Sequence, residues 1–77
     1  MLTAYWEESS ETLVITRRSG RAFKVRNRAI TSGSHKVFGV EIVGSEVHVL
    51  TGPKSNRSPS RRVKFNDSGV YKGSTRL

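Results

Sequence analysis

The chain has 77 residues, with 14 Lys or Arg against six Asp or Glu, so its formal net charge at pH 7 is +8. This length allows one small domain, 1–77, and the absence of cysteine excludes a disulfide framework, a thiolate zinc site and a cysteine nucleophile. The chain has no apolar run of membrane-spanning length and no basic, then apolar, signal segment at its start. We therefore expect a cytoplasmic protein with no membrane partner.

Apolar and polar residues alternate along most of the chain, which predicts β-strands, and no segment has the period of a helix. Residues 2–6 could form an edge strand or a helical turn, and their aromatic content favours the strand. The next two alternating runs, on either side of Gly20, predict a hairpin. A three-residue loop that ends at Gly20 gathers the apolar side chains on one face, since it pairs Ile15 with Phe23 and Leu13 with Val25. It also gives Gly20 the left-handed conformation of a G1 bulge.

A second hairpin is predicted around Gly44 and Ser45, where glycine followed by a small polar residue favours a type II′ turn. This register sets Glu41 directly opposite His48, an arrangement that favours protonation of the imidazole if the two side chains pair. The apolar face of this hairpin comprises Phe38, Val40, Ile42, Val47 and Val49.

The last third of the chain reads as a loop, a strand, a turn and a short strand. Residues 52–60 contain two prolines and three serines, which predicts a mobile basic loop. Residues 61–65 alternate and predict a strand with Val63 and Phe65 inward and Arg62 and Lys64 outward. Residues 66–69 predict a turn, and 70–72 predict one more short strand. Residues 73–77 are expected to be frayed.

Five or six short strands with tight turns predict an all-β antiparallel fold. At this size we expect a small five- to six-stranded barrel, SH3-like or OB-like, because closure removes exposed strand edges. The alternative is an open β-meander completed by homodimerisation.

The chemistry-bearing residues do not predict an enzyme. The sequence has no nucleophile elbow and no phosphate-binding glycine loop, and Glu41 and Glu46 flank a hairpin turn on solvent-facing positions. His35 and His48 are far apart in sequence and have no cysteine beside them, so neither a metal nor a cofactor is expected.

Nucleic-acid binding is the function that the charge pattern favours. Alternate residues between Lys24 and Arg28 predict a basic stripe along one strand face, with a repeat of about 6.6–7 Å. A second cluster surrounds the flexible loop, and exposed aromatic rings would stack on bases. The predicted interface comprises Lys24, Arg26 and Arg28; Lys54, Arg57, Arg61, Arg62 and Lys64; and Trp6 and Tyr71.

Phosphate contacts without a recognition helix predict low sequence specificity, and the sequence does not distinguish DNA from RNA. The alternative function is a protein–protein interaction module, such as a phage or mobile-element accessory protein that binds a host factor. In that case the acidic segment Glu7–Glu11 could pair with the basic region of a second copy in a homo-oligomer, or with the basic region of its own chain and so mask it.

Overall fold

The structure is a computed structural model that describes residues 1–31 and 33–77. It is all-β apart from one helical turn, and its strands form two antiparallel sheets. The first sheet has the order β1-β2-β3 and the second has the order β4-β5-β6-β7. The elements are β1 (Thr3–Glu7), β2 (Thr12–Thr16), β3 (Ala22–Val25), α1 (Arg28–Thr31), β4 (His35–Val43), β5 (Glu46–Pro53), β6 (Arg61–Asn66) and β7 (Tyr71–Arg76).

The β2–β3 hairpin has the predicted register. Leu13 pairs with Val25 and Ile15 pairs with Phe23. Gly20 donates its backbone N–H to the Arg17 carbonyl at 2.8 Å and has φ +92°. The glycine is required here because a side chain is strained in this left-handed region. The predicted edge strand is also confirmed, since β1 lies at the edge of this sheet.

The β4–β5 hairpin also has the predicted register around its turn, with Ile42 opposite Val47 and Val40 opposite Val49. The prediction for Phe38 is wrong. A bulge between Val37 and Gly39 shifts the register, so that Val37 packs against the core. The Phe38 ring instead lies beside Gly52 and under the Lys36 ammonium group, which is 4.8 Å from the ring centroid.

The core lies between the facing sides of the two sheets. Leu13 and Ile15 of β2 are fully buried together with Val47 and Val49 of β5 and with Phe65 of β6. Alternation explains this arrangement, because every second side chain of each strand points to the same face. The other face of each strand carries most of the polar and charged residues. The predicted inward position of Phe65 is therefore confirmed.

The all-β antiparallel prediction is confirmed, but the two sheets are separate and do not close into a hydrogen-bonded barrel. The described residues contain seven strands where five or six were predicted. β1 lies against β4 without a shared ladder, and the β6–β7 turn packs on β3. The longest helix within the described ranges is the four-residue α1, and no helix there could cross a membrane.

Two segments differ from their predicted conformation. β3 ends at Val25, and Asn27 caps a helical turn by accepting a hydrogen bond from the Ala29 backbone N–H at 2.8 Å. β7 continues to Arg76, and Leu77 donates its N–H to the Ser60 carbonyl at 3.0 Å. The tail predicted to fray from residue 73 is thus paired with β6 as far as Arg76.

The packing of the β6–β7 turn on β3 makes Gly69 sensitive to substitution. A Cβ atom there would lie 2.7 Å from Val25 Cγ2 and 2.8 Å from Phe23 Cε2, at φ +81°. Gly20 has a similar φ but open space around it. We expect Gly20→Ala to lower the free energy of unfolding by about 1–2 kcal/mol from backbone strain. Gly69→Ala should cost about 1–3 kcal/mol more because of the added clash.

Urea unfolding of the two variants and the wild type measures this difference. Equal losses for Gly69→Ala and Gly20→Ala would contradict the contact between the two sheets at this turn.

Candidate nucleic-acid interface

The predicted stripe on the first sheet is divided among three structural settings. Lys24 lies on the outward face of β3 and forms an ion pair with Glu7, with Nζ 3.4 Å from Oε1. Arg26 follows the strand, and its Nη2 donates to the Ser10 carbonyl at 3.1 Å. Arg28 is the first residue of α1. The prediction of one extended strand face with three regularly spaced cations is therefore wrong.

On the outward face of the second sheet, Arg62 belongs to a hydrogen-bonded network. Its Nη1 donates to Glu41 Oε1 at 2.7 Å and to His48 Nδ1 at 3.0 Å. A guanidinium can only donate, so Nδ1 is the unprotonated nitrogen of the ring. The His48 Nε2–H then donates to Glu46 Oε1 at 2.9 Å. Glu41 and His48 thus hold the Arg62 guanidinium against the sheet. His48 itself is only 6% exposed.

The predicted register of Glu41 opposite His48 is confirmed, but among the described residues Glu41 pairs with Arg62 and His48 pairs with Glu46. Arg62 takes the Glu41 carboxylate, because β6 brings it beside both residues. Lys64 lies directly opposite His48 on β6 and contributes positive charge near Glu46.

Two carboxylates have lowered pKa values as a result of such contacts. The hydrogen bond from His48 lowers the pKa of Glu46, and the charges of Lys64 and Lys72 act in the same direction. The hydrogen bond from Ser10 lowers the pKa of Glu7, as does the charge of Lys24. Glu7 and Glu46 thus offset part of the positive charge of the lysines near them.

A different group of cations gathers where β4 begins, β5 ends, β6 begins and β7 ends. Antiparallel pairing brings these four chain segments to one end of the second sheet. Residues 33–40, 50–62 and 74–77 form this end and contain no Asp or Glu. We call the group the basic end; it comprises Lys36, Lys54, Arg57, Arg61 and Arg76.

The basic end is accessible to a ligand. All of its side chains are exposed except that of Arg61, which is half-buried. None of them forms an ion pair within the part of the chain that the structure describes. Lys36 and Arg76 lie on the outer strands of the sheet, about 14 Å apart at three strand spacings.

Of the two predicted stacking residues, Trp6 lies near the basic end and Tyr71 does not. Trp6 lines a cavity together with Lys36 and Lys54, while its Nε1–H donates to Glu8 at 3.0 Å. Glu8 and Glu11, between β1 and β2 of the first sheet, also line this cavity and give that side of it negative charge. Tyr71 begins β7, at the opposite end from Arg76, and packs edge-on against Phe65 at 6.0 Å.

The two basic blocks of the sequence do not form one face. The outward faces that carry Lys24 and Lys64 lie on opposite sides of the shared core. Arg17 and Arg21 line a shallow cavity with Ser68 of the β6–β7 turn, away from the basic end. The basic cluster predicted around the loop is brought together only in part, since Arg62 and Lys64 lie on the outward face.

Sequence reasoning missed Lys36 and Arg76 as members of the cationic group. Lys36 is remote in sequence from the loop, and Arg76 lies in the tail that was expected to fray. The alternation in 74–76 is too short to predict a strand. Only the pairing of β7 with β6 sets Arg76 opposite Arg61.

Within residues 1–31 and 33–77, no group of three His, Cys, Asp or Glu side chains could hold a metal ion. Comparison of the chain with protein-family models, curated proteins and solved structures finds no match.

The lowered pKa of Glu46 predicts a specific loss of stability in acid. A carboxylate whose folded pKa is below its ordinary value of 4.5 stabilises the fold above that pH. This contribution disappears as the pH falls through the lowered pKa. We expect the wild type to lose more unfolding free energy between pH 7 and pH 3 than Glu46→Gln does.

Urea unfolding at both pH values tests this expectation. The matched control is Glu11→Gln, which also removes one negative charge but alters no side-chain hydrogen bond or ion pair of the described chain. Parallel acid losses in Glu46→Gln and the wild type would contradict the His48–Glu46 hydrogen bond.

Proposed function

We propose that this protein is a cytoplasmic, non-enzymatic nucleic-acid-binding domain that acts mainly through phosphate contacts. The observation that carries the proposal is the basic end, where five cations meet without an Asp or Glu in the segments that form it. Twelve of the 14 Lys and Arg residues have no ion pair in the described chain. A local excess of this kind attracts polyanions and releases their counterions on contact.

The binding should have low sequence specificity. Lys and Arg side chains at strand ends and in a loop reach phosphate oxygens, which carry no sequence information. Trp6 is the aromatic ring beside the cavity lined by Lys36 and Lys54, so it is the better candidate for base stacking than Tyr71. A ring that stacks on every base adds affinity for single strands without selecting a sequence.

Salt dependence tests the proposal. If the five cations of the basic end each neutralise one phosphate, log K against log salt has a slope of about −3.5 for a single strand. We expect the double variant Lys54→Gln and Arg57→Gln to reduce the slope to about −2. Fluorescence anisotropy of a labelled oligothymidylate, titrated at several salt concentrations, measures these slopes.

The matched control removes two other exposed cations, Arg17 and Arg18, at the β2–β3 turn. This Arg17→Gln and Arg18→Gln variant has the same net charge of +6 but keeps the basic end. It should retain a slope of about −3.5. The proposal fails if the wild type does not bind at low salt, or if both double variants lose the same affinity.

The single tryptophan provides a second readout. Stacking of a base on Trp6 should quench its fluorescence as the oligothymidylate binds, with a midpoint that agrees with the anisotropy titration. Trp6→Phe should retain the salt slope, because a ring remains and no charge changes. Full binding by anisotropy with unchanged tryptophan emission would exclude Trp6 from the interface.

A second candidate function is protein binding in the groove between β1 and β4. These strands lie side by side but share no ladder, and Tyr5, Trp6 and Phe38 line the groove between them. Open strand edges beside aromatic rings accept an extended peptide by β-augmentation. Substituting Tyr5, which is 55% exposed, would weaken this mode but leave the salt slope of oligonucleotide binding unchanged.

A further inference from the structure

Within the basic end, one row of cross-strand partners has the composition of an oxyanion site. Thr51 of β5 is opposite Arg61 of β6, and Arg61 is opposite Arg76 of β7. Directly opposed residues project from the same face of a sheet, with Cβ atoms about 4.5–5.5 Å apart. The row therefore aligns one hydroxyl and two guanidinium groups on three neighbouring strands.

The two arginines lack a counter-charge. Like charges in directly opposite positions destabilise a sheet. No Asp or Glu side chain of the described chain lies within ion-pair distance of Arg61 or Arg76. The outward face of the same sheet differs, because there Glu41 accompanies Arg62. An anion between Arg61 and Arg76 would convert their repulsion into two attractive contacts.

Thr51 provides an independent observation. Its residue is 1% exposed, and its Oγ1 is the buried side-chain polar atom of the described chain that has no hydrogen-bond partner. A buried hydroxyl normally has a hydrogen-bond partner, so the lack of a partner for Thr51 Oγ1 calls for a physical explanation. A hydroxyl can donate to an anion, and the nearest cross-strand neighbour of Thr51 on β6 is Arg61.

The geometry points to a binding site for a tetrahedral oxyanion, a phosphate group, at Thr51, Arg61 and Arg76. Each guanidinium can present two parallel N–H groups to phosphate oxygens. The Thr51 hydroxyl is buried, so binding requires the Arg61 side chain to move from over it toward the anion, and the hydroxyl then meets a third phosphate oxygen. This inference rests on the proposed function, because a nucleic acid would supply the phosphate. A nucleic acid offers both internal phosphodiesters and terminal phosphates.

Inorganic phosphate is the probe that isolates the site from the rest of the nucleic acid. We expect saturable one-to-one binding in an NMR titration, with shifts at the Arg61 and Arg76 Nε–H groups and the Thr51 amide. Arg76→Gln should weaken phosphate at least tenfold, and Thr51→Val should weaken it roughly threefold to tenfold, with recovery in Thr51→Ser. Arg57→Gln, a matched loss of one basic-end cation outside the row, should stay within twofold.

Two results overturn the site. Equal weakening by Arg57→Gln and Arg76→Gln means that phosphate responds only to diffuse charge. Unchanged binding in Thr51→Val removes the hydroxyl from the site and with it the three-residue arrangement. Because Arg76 is exposed, Arg76→Gln should keep the amide spectrum of the folded chain, which verifies that a loss of binding is not a loss of fold.

Oligothymidylates with and without a 5′-phosphate identify the source of the phosphate. A terminal phosphate at the site gives tighter binding of the phosphorylated strand, and an internal phosphodiester gives equal binding; in both cases Arg76→Gln weakens the strand. If Arg76→Gln weakens neither strand, the site is not used. Oligonucleotide binding without saturable phosphate binding overturns this inference alone, whereas phosphate saturation without oligonucleotide binding overturns the proposed function alone.

Discussion

Neither sheet can bury its apolar face without the other. The three-stranded sheet presents Leu13 and Ile15 to the four-stranded sheet, which presents Val49 and Phe65 in return, and all four side chains are fully buried. A chain of 77 residues without cysteine has a modest core and no disulfide to supplement it. Contact between the two faces is therefore the constraint on which the remaining structure depends, because it decides which side of every strand turns to water.

This constraint also distributes the charge. The inward side of β6 carries Val63 and Phe65, so Arg62 and Lys64 must turn outward, where carboxylates on β4 and β5 are within reach. Arg61 is on the same side as Val63, but it lies at the end of the strand, where the core stops. A long side chain there can bury its stem and keep its guanidinium in water. Five of the seven Lys and Arg residues without an ion pair in residues 33–77 consequently lie at the end of the sheet, whereas Arg62 on its outward face is paired.

Local pattern was sufficient to predict both hairpin registers, because Gly20 and Gly44 fix the turns and a slip of one residue would expose the apolar set. Other features depended on competing or distant contacts. The alternation of Lys24, Arg26 and Arg28 suggested a strand, but the Asn27 side chain caps a helical turn. The alternation of apolar and polar residues does not predict the bulge at Phe38. Arg76 lies beside Arg61 because β7 pairs with β6 over its whole length. The two apolar residues at 70–71 predict only a short strand that ends before Arg76.

The difference between paired and unpaired arginines bears on what the charge can do. Arg62 is held by Glu41 and His48, so a polyanion would have to compete with a carboxylate and a buried imidazole for its guanidinium. Arg61 and Arg76 have no such competitor, and an anion relieves their mutual repulsion. An arginine at the end of the sheet therefore attracts a phosphate ligand more strongly than an arginine on the outward face. The net charge of +8 thus overstates the attraction of the outward faces and understates that of the basic end.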